Sequence, residues 1–278
     1  CGQKNHNSLQ GVAALGDEVD VYAFCDSTHM AEPDFLRHLV APMARGEASF
    51  STGYHVVEPR DNQRTTLGYA FCVMLMRYLQ AMSAFTQLWG GAMAMTRAAY
   101  VKYAVAQLWV ENVVDDCSLS ALLQVRGAKV QLCPGALLHT DAINHSQPVW
   151  RAWMDRQVLF LKFCMPGQWK LLGLMCVMMA LPMVCAGLAL LGWLISVGSG
   201  AGVLLAVFWL AALVSALHLW RGLLSKPVPL LGWCLAFVDA VRLFTSVYWQ
   251  SLKAWSIEWH GIRYEVGKGG VVLRSERS

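Results

Sequence analysis

Asp115 and Asp116 stand side by side after the apolar pair Val113-Val114 and just ahead of a helix-forming run from Ser118 to Arg126. One of two such carboxylates can cap the helix N-terminus. The other is then free to act as general base on a hydroxyl, and the like charge beside it raises its pKa toward a useful range. Asp26 is the second acidic position, closing the run Phe24-Cys25 and opening the polar sequence Ser27-Thr28. A carboxylate at a strand end can bind a hard divalent cation such as Mg or Mn, which in turn holds a diphosphate; the same residue type also forms turns. His29, three residues on, is a candidate to join that metal shell. His55 and His139 fall in or beside strands and read as structural, and Met74, Met76, Met93 and Met95 as core packing.

These residues need a scaffold. Val19–Cys25 and Ala48–Val57 have the β-branched and aromatic composition of strands. Leu67–Gln87, Arg97–Leu108 and Ser118–Arg126 have helical apolar spacing. Trp89-Gly90-Gly91 turns into a strand ending at Met95, and Ala128–Leu132 is a short strand closed by Pro134-Gly135. Alternation of this kind predicts an α/β domain with a mostly parallel sheet and flanking helices. Both acidic motifs are expected in loops beyond the carboxyl ends of strands.

Composition splits the chain. Of 278 residues, 56% are hydrophobic and only 14% charged, and mean hydropathy is +0.41. The stretch Leu171 to Trp220 contains no Lys, Arg, Asp or Glu. Residues 1–165 are therefore expected to form the polar domain, 166–254 a membrane region and 255–278 a tail. Residues 171–197 and 201–220 each reach the ~20 residues that cross a hydrocarbon core, and Ser196–Gly202 (SVGSGAG) makes a tight turn, giving a transmembrane hairpin. Residues 228–253 are apolar too, but Asp239, Arg242, Ser246, Gln250 and Lys253 recur at helical spacing on one face. Charges in mid-span are expensive, so this segment is expected to lie in the interface as an amphipathic helix. The tail reads as a small β-hairpin or extended strand. The net charge of +4 comes from single cations, not the aromatic-interleaved basic stripe of a nucleic-acid binder. The nine cysteines include no CxxC pair and read as reduced, buried hydrophobes.

The order of motifs resembles the ceramide glucosyltransferase-like enzymes, GT-A-fold members of glycosyltransferase families 2 and 21, over nearly the whole chain. Gly2–Leu9 (GQKNHNSL) resembles the family's Lys-containing segment, and Cys25-Asp26-Ser27 its Cys-Asp-Ser. Trp89–Arg97 (WGGAMAMTR) resembles its acceptor-side segment, and Val114-Asp115-Asp116 its Ala-Glu-Asp or Ala-Asp-Asp. Ile257–Tyr264 (IEWHGIRY) is similar to its Trp-Arg-Gly-x-x-Tyr element, with His260 in place of Arg. Two departures stand out. In the (Gln/Arg)-x-x-Arg-Trp motif the best register is Trp153-Met154-Asp155-Arg156-Gln157, which keeps only the Arg; the alternative, Gln147 with Arg151 and Trp153, keeps residue types at other spacing. Thr28 stands where many relatives carry a second Asp.

The resemblance implies an inverting glycosyltransferase that moves a hexose, glucose first, from a UDP-sugar to a lipid hydroxyl such as that of ceramide. It makes Asp116 the catalytic base and Asp26 the ligand of a divalent metal. Lys4, Asp26 and Arg156 would bind the donor diphosphate, with Gly90, Gly91 and Trp153 on the acceptor side. It also implies a multi-pass membrane protein with its catalytic domain on the cytosolic side. The family's first strand and its nucleotide-reading Asp would lie before Cys1, so the chain is expected to be truncated at its N-terminus. Two rival readings remain. A processive polysaccharide synthase shares the motifs, although two spans and one amphipathic helix are few to line a polymer channel. A non-catalytic membrane scaffold is suggested by the altered Arg156-Gln157 motif and opposed by intact Asp26 and Asp116.

Overall fold

The computed structural model describes residues 1–16, 18–195 and 197–277. In chain order the polar part contains α1 (Gln3–Leu15), β1 (Val21–Cys25), β2 (Met30–Ala31), α2 (Phe35–Ala44), β3 (Phe50–Pro59) and α3 (Arg64–Ala81). It continues with β4 (Ala92–Thr96), α4 (Arg97–Lys102), α5 (Val105–Glu111), α6 (Asp115–Val125), β5 (Gln131–Ala142) and α7 (Gln147–Cys164). Three long helices follow, α8 (Pro166–Leu194), α9 (Gly200–Arg221) and α10 (Leu230–Ser251), then the strands β6 (Ser256–Trp259), β7 (Ile262–Val266) and β8 (Val272–Arg277).

The main sheet has the order β1-β4-β3-β5-β2. Its helices and strands alternate as expected, but the sheet is mixed. Only β3 and β5 pair in parallel; β1–β4, β3–β4 and β2–β5 are antiparallel. Buried strands read as apolar runs in either orientation, so composition alone does not set strand direction. Along β4 the two-residue period is clear. Met93 and Met95 pack with Tyr22, Phe50 and Trp109, while Ala92 and Ala94 face Phe35, Leu39 and Leu138.

Several element boundaries differ from expectation; the helix expected over Leu67–Gln87 runs from Arg64 to Ala81. The helix expected over Arg97–Leu108 is broken in two at Ala104, whose φ is +50°. The strand expected to stop at Leu132 instead continues through Pro134-Gly135 to Ala142. The register shifts there, from Thr52 opposite Leu132 to Tyr54 opposite Leu137, so the proline lies in a bulge where no ladder N–H is required. Gly53 faces this bulge, and a Cβ on it would sit 2.1 Å from the Ala136 carbonyl oxygen.

Helices α8, α9 and α10 are each long and apolar enough to cross a membrane. The turn expected at Ser196–Gly202 begins at Ser196, outside the described residues, as is Ser278 at the end of the tail. Beyond Ser196, the amides of Val197 and Gly198 both donate to the Gly192 carbonyl. α10 differs from the other two. Its Trp233, Phe237, Phe244 and Val247 share one core with Leu67, Phe71 and Met74 of α3 and with Trp150, Met154 and Val158 of α7. Its polar face meets the polar domain as well. Arg64 pairs with Asp239 at 2.6 Å, and Arg151 donates to Ser246 and Gln250 at 3.2 and 2.8 Å. The expected tail hairpin is a three-stranded antiparallel sheet, β6-β7-β8.

Candidate active site

A cleft of about 1240 Å³ opens where β1 ends and β4 begins. The Asp26 amide donates to the Gly91 carbonyl at 3.1 Å, which fixes the end of β1 beside the glycine pair. All seven residues singled out from the sequence line this cleft: Lys4, Asp26, Gly90, Gly91, Asp116, Trp153 and Arg156.

Asp115 and Asp116 both lie in the first turn of α6, and neither caps it; the capping position is Val114. They are reached from α5 and not from a strand of the sheet. The approach is tightly anchored. Asn5 of α1, fully buried, donates to the carbonyls of Trp109 and Asn112. The Trp109 indole N–H donates to the Asp115 carbonyl at 3.2 Å, and the Ser118 hydroxyl to that of Val114 at 2.6 Å. The Val113 amide donates to the Gly270 carbonyl, tying this segment to the C-terminal sheet.

The two carboxylates have different environments. Asp115 is 1% exposed and has Lys4 Nζ 3.2 Å from Oδ2 as its charge partner. That contact lacks hydrogen-bond geometry, and neither oxygen has a hydrogen-bond partner among the described residues. Asp116 is partly exposed to the cleft. Its Oδ2 accepts the Gly90 amide at 2.7 Å, and its Oδ1 accepts the Cys117 amide at 2.6 Å. Burial, then the charge of Asp115, push the Asp116 pKa up to about 6, against the opposing pull of Lys4 and the two amides.

Lys4 sits at the hub. Its ammonium lies 2.9 Å from Asp26 and donates to the Gly90 carbonyl at 3.0 Å. Burial alone would lower its pKa, but Asp115, Asp116 and Asp26 together hold it above the ordinary lysine range. Its charge is thus already matched within the protein. The glycines are required by contact. A Cβ on Gly90 would fall 2.6 Å from Lys4 Nζ and 3.0 Å from both Asp115 carboxylate oxygens, and one on Gly91 2.2 Å from the Trp89 ring.

Across the cleft, Arg156 spends one hydrogen bond on the Ala152 carbonyl of its own helix. Burial lowers its pKa, with Asp155 opposing; it lines the cavity, and its other N–H groups have no hydrogen-bond partner among the described residues. Trp153 stands edge-on to Tyr69. The far wall holds His29, read from the sequence as a candidate for the metal shell, and His55, read as structural. There Trp89 stacks on His55 at 4.7 Å, and His29 and His55 approach the same Thr140 hydroxyl at 2.7 and 2.9 Å. Burial pushes the His55 pKa down to about 3, and the neighbouring His29 adds to this. His139 lies outside the cleft, between Glu58 and Glu32. Trp259, His260 and Tyr264 of the C-terminal sheet close the opposite side. His260 and Gly261 have φ of +51° and +69°, the two positive values that a two-residue hairpin turn demands.

The sequence matches the family model of glycosyl transferase family 21 over residues 3–272. The chain belongs to glycosyl transferase family 21. A comparison with curated proteins finds no match. As a family 21 glycosyltransferase, the chain implies a nucleotide-sugar donor and an acceptor, and its three apolar helices suit a membrane protein.

A metal at Asp26 has to be weighed against the side chains there. No cluster of three His, Cys, Asp or Glu side chains able to hold a metal ion occurs among the described residues. The charges favour one nevertheless: Lys4 contributes one positive charge against Asp26, Asp115 and, once ionised, Asp116. An excess of carboxylate beside a diphosphate site is repulsive without a cation. Mg²⁺ is commonly held by one or two carboxylates and completed by substrate phosphates, and the single carboxylate of Asp26 fits that pattern.

Proposed function

We propose that this family 21 glycosyltransferase moves a hexose, glucose first, from a UDP-sugar to the hydroxyl of a membrane lipid such as ceramide, with inversion. The observation that carries the reading is Asp116. It is a carboxylate of raised pKa, held by two backbone amides and facing a cleft that is also lined by Arg156. In the proposed reaction Asp116 accepts the acceptor's hydroxyl proton as that oxygen attacks the anomeric carbon. The bond from that carbon to the donor's diphosphate breaks, and Arg156 offsets the charge left on the leaving group. A divalent cation held by Asp26, when bound, would supply further charge to the diphosphate. Lys4 orders Asp26, Asp115 and the Gly90 peptide; Gly90 and Gly91 give backbone approach near the acceptor, and Trp153 supplies an apolar wall.

The same reading places α8 and α9 across a membrane and α10 in its interface on the cytosolic side. The seating of the tail supports this. Tyr264 accepts the Gln3 amide at 3.3 Å, and Gly270 accepts that of Val113, so the chain returns to the catalytic domain after its membrane helices. Two crossings achieve that and three do not. Arg221 and Lys226 after α9 suit a cytosolic face.

The test is release of UDP from UDP-glucose by detergent-solubilised protein offered mixed lipid acceptors, with and without chelator. Release that needs both lipid and Mn²⁺ or Mg²⁺, and that requires far more metal in Asp26→Ala, is expected. Release unaffected by chelation would remove the metal from the account, and a sugar product not attached to lipid would remove the acceptor.

A further inference from the structure

Away from the cleft, a groove of about 520 Å³ runs between α8 and α10. Its α8 wall is apolar, formed by Ala180, Met183 and Val184, and its α10 wall presents Arg242, Ser246, Trp249 and Gln250. The volume suits a small-molecule site. Trp249 is 73% exposed at its mouth, in the manner of the indoles that collect at membrane–water boundaries.

The polar wall is arranged for an anion. Arg242 is exposed and has no partner among the described residues, whereas the neighbouring Asp239 is already matched by Arg64. Arg151 stands behind, donating to Ser246 and to Gln250 Oε1. Those bonds use acceptor oxygens, so the Gln250 amide N–H₂ and the Ser246 hydroxyl proton remain to be donated. Asp155 lies 3.8 Å from Arg151 and is shared with Arg156, while Asp239, one turn from Arg242, is taken by Arg64. Two guanidiniums against one carboxylate leave net positive charge at a mouth whose floor is hydrocarbon.

We propose that this groove binds an anionic phospholipid of the surrounding bilayer. Its phosphate is held by Arg242 with Ser246 and Gln250, and an acyl chain lies along Ala180, Met183 and Val184. An unpaired guanidinium at the end of an apolar trough matches a phosphodiester above a fatty chain in both charge and polarity. A neutral zwitterionic lipid carries its own cation and gains less. The site also touches the catalytic machinery's support, since Arg151 belongs to α7, the helix that places Trp153 and Arg156 in the cleft. The inference rests on the membrane seating of α8 and α9 proposed above.

The full chain, reconstituted in phosphatidylcholine nanodiscs, would receive trace phosphatidylglycerol or phosphatidylcholine carrying a photoactivatable group in the acyl chain. Labelled peptides would then be mapped by mass spectrometry. The phosphatidylglycerol probe should label the 180–184 segment about tenfold more than the phosphatidylcholine probe, the scale of one charge-assisted contact. Arg242→Gln should erase that preference and Arg242→Lys should keep much of it. Because Arg242 is exposed and unpartnered, both variants should unfold at the parent's temperature. Equal labelling by both probes, or a preference that survives in Arg242→Gln, would overturn the proposal and leave general bilayer contact. Alkaline carbonate extraction separates the two readings: protein lost from the membrane fraction sinks the seating and the site together, whereas retained protein without lipid preference sinks the site alone.

Discussion

The amide of Gly90 donates to Asp116 Oδ2 at 2.7 Å, while the carbonyl of the same residue accepts Lys4 Nζ at 3.0 Å. One glycine therefore fixes both the candidate base and the cation that holds Asp26 and Asp115. Gly90 has no positive φ, so an alanine is opposed by contact and not by backbone strain. Its Cβ would meet the ammonium and the Asp115 carboxylate. Gly90→Ala should lower kcat at least about tenfold, because a misplacement near 1 Å is that costly to positioned chemistry. Overpacking should destabilise by roughly 1–3 kcal/mol. Steady-state kinetics with thermal unfolding checks both, and unchanged kcat would separate Gly90 from the base.

The Asp116 pKa, raised to about 6 first by burial and then by Asp115, sets a pH dependence. As a base it must be ionised, so kcat/KM should rise through an apparent pKa near 6 and level off above it. That value belongs to the Asp115–Asp116 pair. The sign for stability is opposite. An unfolded Asp titrates near ~3.9, so between there and about 6 the folded state holds the extra proton and stability falls as pH rises. Asp116→Asn should accordingly raise the melting temperature at pH 8 and change it little at pH 4. A lower melting temperature at pH 8 would contradict the raised pKa.

Lys4 and Asp115 form a second testable pair. Asp115 is 1% exposed, and among the described residues Lys4, at 3.2 Å, is its ion-pair partner. Removing one partner of a buried pair costs about 3–5 kcal/mol because the other charge stays behind. Lys4→Met should therefore be strongly destabilising, and adding Asp115→Asn should recover much of the loss. Additive effects in the double-mutant cycle would show that the two charges do not interact.

Much of this site was legible in the sequence because the chemistry sits at element ends. Asp26 after an apolar strand, Asp116 ahead of a helix and the Gly90-Gly91 turn all lie in one cleft. Strand direction was not legible, since Met93 and Met95 alternate with Ala92 and Ala94 whichever way β4 runs. Pro134 looked like a stop because a bulge opposite Gly53 depends on a distant partner strand. The polar face of α10 was readable, but not that Arg64 and Arg151 would meet it instead of water. Neither carboxylate of the Asp115-Asp116 pair turned out to cap its helix; one is bound by Lys4, the other by Gly90. His29 was readable as a neighbour of Asp26, but its place in a wall with His55 and Trp89 was not, because the three come from separate segments and the two histidines meet only around the Thr140 hydroxyl.

The central claim is that Asp116 accepts the acceptor's proton. Asp116→Asn keeps a carbonyl oxygen for the Gly90 amide and removes the basic site, so donor binding should survive while turnover is lost. The most direct measurement follows sugar transfer to lipid in single turnover, with UDP-glucose affinity determined on the same preparation. The account predicts a drop of at least about 10²-fold in the transfer rate, the usual share of a positioned general base, with donor affinity within about twofold of the parent. Transfer at the parent's rate would contradict it.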